Sequence, residues 1–421
     1  MIMLTRSYNS NITDSSITDT RNYFILFILW PFLSFMVALV NFSRKEARTV
    51  IYIFLIYYGL SFVNANVAVD AYRYALSLKA NSLLPFSDFF KIIGGLYSDT
   101  SVDFIEPLIS FIVSRFTSDH GLYFGVWAVI FGYFYLKSIE LIFDRYILNQ
   151  NWNTVLLMVF FIMTIPVTMI SGVRMWTAAW IFFYGAFRVI TEKDPRFLLI
   201  TFSAAFVHWS FISANAILVI YYLAGNRNII YIPLAASSFV LPHLMAPVFR
   251  VLALRLGGGM QQRYAGYSSE GYMLAVQEGV AQSAWFMRIT NDMVFYYLLI
   301  AVAVIQLRHW SMMKEKHEQN LFSFLLLFLA FVNFGMPIPS FGGRFMILFF
   351  LFATAYLIMY FSKQPGNKIY FLILLGLFPM MLYSLINLRL GLESMNAWIF
   401  SPGFGVPLFA PAVSLYEALF N

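Results

Sequence analysis

Long apolar runs separated by short polar segments are the feature that most limits how this chain can fold. Of its residues, 61% are hydrophobic and only 11% are charged, and the mean hydropathy is +0.74. A soluble protein of 421 residues could not bury so much apolar surface, because its exterior needs a polar cover. Unbroken apolar runs are also not the alternating pattern of outer-membrane strands. The sequence therefore predicts an all-α polytopic integral membrane protein.

The number of spans follows from the length of the apolar runs, since a helix needs about 20 residues to cross a bilayer. The apolar stretch 197–224 is interrupted by His208, and we interpret it as two short or broken spans that meet near this residue. The segment 104–116 contains Glu106 and Pro107, which favour a re-entrant or interfacial helix over a span. We predict one transmembrane domain, 1–421, with about twelve spans. The ten remaining spans are predicted at 23–41, 49–64, 122–143, 153–172, 174–190, 228–246, 291–307, 319–338, 345–361 and 369–388.

Positive charge sets the orientation, because cytoplasmic loops collect Lys and Arg. Most Lys residues fall in five short segments, which are 43–48, 188–196, 225–228, 308–319 and 362–368. With these in the cytoplasm, both termini lie outside, and the net charge of +7 indicates membrane topology rather than a nucleic-acid partner.

Three polar or mixed segments then lie on the outer, periplasmic side. They are the N-terminal tail 1–22 and two long segments, 65–121 and 247–290. The tail has no apolar core followed by a small-residue cleavage site, so we expect the first span, and not a signal peptide, to target the chain to the membrane.

Arginine is frequent on the predicted outer face, where the positive-inside rule leads one to expect few cations. Arg174 and Arg344 each lie in a tight turn between two predicted spans, in "SGVRMW" and "FGGRFM", and Arg263 lies in the second long segment. A guanidinium can bind two phosphate oxygens at once, so these residues are candidate ligands of a lipid pyrophosphate. The alternative is that each Arg only extends to lipid headgroups.

Carboxylates and one histidine accompany these arginines. Asp70, Arg73 and Tyr74 lie in the first outer segment, Glu106 lies on the short helix that follows, and His208 lies at the interrupted span. Asp70, Glu106 and His208 are candidate catalytic proton acceptors, whereas Arg73 and Tyr74 are candidate substrate-binding residues. Asp70 and Glu106 could instead pair with Arg73 and Arg115, and His208 could be a satisfied buried histidine.

The sequence offers little for metal binding. It contains no cysteine, and its five histidines are scattered. We therefore predict that the protein uses neither a metal nor another cofactor.

Four short motifs, in this order, resemble the EpsG-like branch of the Wzy polysaccharide polymerases. They are "VDAYRY" with Asp70 and Tyr74, "GVRMWTAAW" with Arg174, "FVHWSFISA" with His208, and "GGRF" with Arg344. The resemblance extends over roughly residues 20–390. It implies a fold similar to that of the lipid-linked glycosyltransferases and O-antigen ligases.

The resemblance also implies an activity. A protein of this kind joins oligosaccharide repeat units carried on undecaprenyl pyrophosphate, on the periplasmic face of the bacterial inner membrane. Its partners would be these lipid-linked oligosaccharides and membrane lipids, and a chain-length regulator protein would be compatible with that role. The alternatives are a flippase for the same lipid-linked units, which internal pseudo-symmetry would favour, and a membrane acyltransferase that modifies surface glycans.

Overall fold

The computed structural model describes most of the chain as α-helices. The described residues are 20–63, 70–90, 103–147, 151–256, 261, 264–266, 269–272, 274, 278, 284–309, 315–363 and 370–420. Within these residues no β-strand is formed, and the one isolated bridge joins Asn396 to Ser414.

The helices are numbered here in chain order. They are α1 Thr20–Leu29, α2 Pro31–Val40, α3 Lys45–Leu60, α4 Asp70–Ser82, α5 Ile105–Ser114, α6 His120–Tyr146, α7 Trp152–Thr164, α8 Val173–Glu192, α9 Arg196–Val207, α10 Phe211–Ala224, α11 Asn228–Ser238, α12 Met245–Leu256, α13 Trp285–His309, α14 Lys316–Gly335, α15 Pro339–Ser362, α16 Tyr370–Leu392, α17 Val406–Phe409 and α18 Leu415–Phe420. Short 3₁₀ helices occur at Phe86–Asp88, Val167–Gly172, Pro242–Leu244 and Ala397–Phe400.

Six helical stretches of the described residues are long and apolar enough to cross a membrane, which confirms a polytopic membrane protein but not the full count of about twelve spans. They are His120–Tyr146, Trp152–Glu192, Trp285–Arg308, Lys316–Gly335, Phe341–Ser362 and Phe371–Leu392.

Several other predicted spans correspond to shorter helices. The run 23–41 is divided at Trp30, before Pro31, because proline has no N–H to continue the helix. Helix α3 has 16 residues, and α11 has only 11 where 228–246 was predicted.

The interruption at His208 is the feature of the fold that most affects the site. Helices α9 and α10 have 12 and 14 residues, and they meet at His208, whose backbone is extended (φ −146°, ψ 112°). Asn215 at the start of α10 donates from Nδ2 to the carbonyl of Thr201, 2.9 Å away, which ties the two helices together. The prediction of two short helices that meet near His208 is confirmed.

Helix α9 lies very close to α8. A Cβ at Gly185 of α8 would lie 3.0 Å from the carbonyl oxygen of Phe197 and 2.7 Å from Cγ2 of Thr201. Only glycine allows this approach, which places the tip of the α9–α10 pair beside the beginning of α8.

Polar contacts bring the ends of six helices and the α10–α11 loop together at one end of the helix bundle. The contact pairs are Arg48 with Asp144, Arg145 with Glu192, Asn320 with Ile190, Asn226 with Asn320, Lys363 with Glu315, and Asn151 with Phe361. We call this region the basic end, because it gathers the described parts of the five segments that we predict to be cytoplasmic. Which side of the membrane it faces stays a prediction.

The interior is packed largely with aromatic rings. Helix α15 is central. Of its most apolar 18-residue stretch, 89% is buried inside the protein, compared with 39% for the corresponding stretch of α16. The ring of Phe352 on α15 lies 4.8 Å from that of Phe183 on α8, and Phe345 lies 5.3 Å from Phe211 on α10. Helix α15 therefore contacts both elements that carry the candidate site.

Candidate functional site

Arg174 lies in the first turn of α8, at the far end of that helix from the basic end. The chain turns at Ile165 and Pro166, continues as the 3₁₀ segment Val167–Gly172, and then enters α8. A cation in the first turn of a helix opposes the helix dipole, so it needs a compensating anion. No acidic residue is near Arg174 in sequence, and the compensation therefore comes from a distant residue.

That residue is Asp103. Arg174 donates from Nη1 to Oδ2 of Asp103 at 2.6 Å, and from Nε to the hydroxyl of Tyr74 at 2.9 Å. The Arg174 side chain is 29% exposed, so it is partly open to a ligand while two of its nitrogens are bonded. The protein counter-charge of Arg174 is thus Asp103, and its only nitrogen without a partner among the described residues is Nη2.

Asp103 also binds the tip of the α9–α10 pair. Its Oδ1 accepts the backbone N–H of Trp209 at 2.8 Å and lies 3.2 Å from Nδ1 of His208. The side chain is 1% exposed, and the backbone N–H of the following residue, Phe104, donates to Phe206. Asp103 was missed at the sequence level, where the one available signal was a single acid directly before an apolar helix.

Tyr74 completes the support of Arg174. Burial raises the pKa of the Tyr74 phenol to about 12, the charge of Arg174 acts against this, and Asp70 and Glu106 act with it. The phenol is therefore protonated at neutral pH, and its oxygen accepts from Arg174 while its own hydrogen stays available to a further acceptor.

The other candidates of the first outer segment form separate contacts. Asp70 pairs with Arg73, whose side chain is 73% exposed. Glu106 is buried and accepts a hydrogen bond from the hydroxyl of Tyr123 at 2.9 Å, instead of pairing with Arg115.

Arg115 is held by backbone groups. It donates to the carbonyl oxygens of Leu84 and Asn81, and its guanidinium lies 4.3 Å from the ring centre of Phe111. This residue therefore has a structural role in joining the end of α5 to the last turn of α4 and the residues that follow it.

Arg344 lies in the first turns of α15 and is half-buried. Its charge acts on the ring of His208, as does that of Arg174, so both guanidinium groups lie within electrostatic range of this histidine. Arg344 has neither a hydrogen bond nor an ion pair with any described residue, in contrast to Arg174. Arg263, the remaining predicted ligand, lies outside the described residues.

The structure thus brings six residues together: Tyr74, Asp103, Glu106, Arg174, His208 and Arg344. Asp70 and Arg73 lie at the edge of this group, where Asp70 still acts on Tyr74. Chemically, the group offers fixed guanidinium donors for an anion, one of them without a counter-charge among the described residues, and an imidazole next to them.

A second charged cluster lies at the basic end. Glu315, His317 and Glu318 present ligand atoms within 4.8 Å of one another, which corrects the sequence expectation that the chain holds no cluster of His and carboxylates. The ammonium of Lys363 lies 2.7 Å from Glu315 and also pairs with Glu318, so it occupies the place that a cation would take between them. A cavity of about 550 Å³ adjoins this cluster.

These features define a class: a polytopic α-helical membrane protein with an arginine- and histidine-containing site at the end of the bundle opposite its basic end. The comparison with protein families gives the narrower assignment. The model of the EpsG family matches residues 64–393, and the chain belongs to this family. Neither the curated proteins nor the solved structures include a match. Family membership indicates a glycosyltransferase-like, polysaccharide-polymerase role.

Proposed function

We propose that this protein polymerises oligosaccharide repeat units carried on undecaprenyl pyrophosphate, on the periplasmic face of the bacterial inner membrane. The observation that carries the proposal is the half-buried Arg344, whose charge acts on His208 and which has no counter-charge among the described residues. A half-buried cation without an anion is only partly solvated, and a pyrophosphate would supply the missing negative charge. Family membership supports the polymerase reaction as the use of that anion site.

In this proposal, Arg344 and the free Nη2 of Arg174 bind the pyrophosphate of the donor. Glycosyl transfer breaks the bond between the anomeric carbon and the pyrophosphate oxygen, and negative charge accumulates on the departing lipid pyrophosphate. Fixed donors that are already oriented stabilise this charge in the transition state without reorganising. Arg174 is oriented in advance by Asp103 and Tyr74, which suits this task.

The attacking hydroxyl of the acceptor sugar must lose a proton. Of the three predicted proton acceptors, His208 interacts electrostatically with both arginines, whereas Asp70 is paired with Arg73 and Glu106 is bonded to Tyr123. We assign Nε2 of His208 as the atom that accepts this proton, because Nδ1 faces Asp103. The new glycosidic bond then forms between the acceptor oxygen and the anomeric carbon.

The test is the length of the surface glycan in a strain that lacks the gene. Single repeat units at the cell surface are expected, because transfer of the first unit would not need polymerisation. A complete absence of surface glycan would instead indicate a flippase, and full-length glycan without an acyl group would indicate an acyltransferase. Either result would contradict the proposal.

A further inference from the structure

We propose that Asp103 is a positioning residue that fixes the working tautomer of His208 and at the same time holds Arg174 for substrate. The inference rests on the proposed function, since it concerns the same site. One buried carboxylate joins three elements: Arg174 at the start of α8, the tip of the α9–α10 pair, and the chain that leads into α5.

The hydrogen-bond geometry determines the tautomer. Oδ1 of Asp103 already accepts the N–H of Trp209 and lies 3.2 Å from Nδ1 of His208. A carboxylate oxygen can only accept, so Nδ1 must carry the hydrogen that it donates. In the neutral ring, Nε2 is then the unprotonated nitrogen, and it has no partner among the described residues.

The second oxygen of Asp103 acts on Arg174. Oδ2 accepts from Nη1 at 2.6 Å, while Tyr74 accepts from Nε at 2.9 Å. These two bonds fix the plane of the guanidinium and leave Nη2 for an incoming anion. Because the same carboxylate fixes both groups, the distance between the proton acceptor and the pyrophosphate ligand depends on Asp103.

The carboxylate of Asp103 also explains why Arg174 and Arg344 differ in the charge that they offer to a substrate. Asp103 neutralises Arg174, and no described residue neutralises Arg344. The net positive charge offered to a substrate is therefore that of Arg344. Arg174 contributes mainly a fixed hydrogen-bond donor that orients the substrate. Asp103 is suited to this role because it is 1% exposed and water cannot screen its charge.

The experiment measures turnover by the purified full-length protein in liposomes. The probe is the lipid-linked glycan extracted from cells that lack the gene. Asp103→Asn removes the negative charge and places an amide N–H beside Arg174. We expect kcat to fall roughly 100-fold with KM changed little, as for the loss of a working proton acceptor.

A double-mutant cycle separates positioning from a merely structural role. If Asp103 acts partly through His208, Asp103→Asn should cause a smaller loss of kcat in a His208→Ala background than in the wild-type protein, and the remaining loss comes through Arg174. The matched control is Asp144→Asn, which breaks another Asp–Arg pair, with Arg48 at the basic end, and should leave kcat unchanged. Abundance of each variant in membranes is measured alongside.

The outcomes distinguish this inference from the proposed function. Wild-type turnover by Asp103→Asn, fully additive losses in the cycle, or a fall in activity that only follows a fall in abundance would each overturn the positioning role. Failure of the wild-type protein to lengthen the glycan would overturn the proposed function itself.

Discussion

The two ends of the helix bundle differ in how their charged side chains are paired. At the basic end, acidic partners face the cations: Arg48 pairs with Asp144, Arg145 and Arg188 pair with Glu192, and Lys363 pairs with Glu315 and Glu318. Most of these pairs are partly exposed, which limits each to about 1 kcal/mol or less.

At the opposite end, a single buried aspartate is shared by Arg174 and His208, and Arg344 has no partner among the described residues. Charges that are fully paired near the surface maintain the fold and its orientation. A half-buried cation left without an anion is less favourable than a paired one, and such an arrangement is typical of sites that bind a charged ligand.

Arg344→Ala should abolish long glycan chains, with a loss of turnover of about 10²–10³-fold, because a charge-stabilising donor is removed from the transition state. Arg344→Lys should be nearly as inactive, since an ammonium cannot reproduce the planar fork. Glycan length on gels is the measurement. The control is Arg196→Ala, an 86% exposed arginine at the basic end, which should keep normal chains. Wild-type chain length with Arg344→Lys would remove Arg344 from the pyrophosphate site.

Arg174 should behave differently from Arg344, because it compensates a buried charge. Arg174→Ala leaves Asp103 without its cation, which is expected to cost about 3–5 kcal/mol of stability and to lower protein abundance. Arg174→Lys keeps the charge beside Asp103 and should restore abundance, but not full turnover, since the bond from Nε to Tyr74 is lost. Immunoblots and glycan length separate the two effects. Equal abundance of the Ala and Lys variants would show that Asp103 does not depend on Arg174.

Lys363→Met tests the basic end. It removes the cation shared by Glu315 and the fully buried Glu318, so we expect a lower unfolding temperature with turnover per folded molecule unchanged. Lys363 also lowers the pKa of Glu315 through its hydrogen bond, so the stability that this bond supplies is present above the unfolded-state pKa of Glu315. It is lost as the pH falls through the lower folded-state pKa. A loss of turnover larger than the loss of folded protein would contradict this prediction, and would show that the pairing at the basic end affects the site at the opposite end.

Chelation should have the smallest effect. If fixed guanidinium groups stabilise the leaving pyrophosphate, polymerisation by the purified protein should continue in EDTA. The acidic cluster at the basic end does not change this expectation, because Lys363 already lies between its two glutamates. Activity that disappears with EDTA and returns only with Mg²⁺ or Mn²⁺ would contradict it.

Sequence reasoning succeeded where the signal was local. Apolar length predicted α6, α13, α14 and α15 closely, and the polar His208 within an apolar run predicted the helix break. It failed where short helices depend on tertiary packing. The run 228–246 is apolar throughout, but α11 ends at Ser238, whose hydroxyl accepts from Asn333 of α14. Such side-chain partners are not visible in hydropathy.

The same limit applies to the site. Tyr74, Arg174, His208 and Arg344 could be selected by residue type and position, and the structure brings all four together. Asp103 could not be selected in this way, because its importance comes from contacts with Arg174 and His208, which lie 71 and 105 positions later in the chain. Asp70 and Glu106 were equally plausible carboxylates in sequence, and only their partners, Arg73 and Tyr123, distinguish them from Asp103.

The shortness of the α9–α10 pair has a consequence for the surrounding lipid. Helix α9 has 12 residues, so it rises about 18 Å, whereas the hydrocarbon core of a bilayer is about 30 Å thick. Leu199, Phe202 and Phe206 are exposed along one face of α9, and acyl chains are expected to cover them. A helix too short for its bilayer is accommodated by local thinning. Headgroups beside His208 would then sit several ångströms deeper than elsewhere around the protein, which brings a lipid-borne phosphate closer to the level of the site.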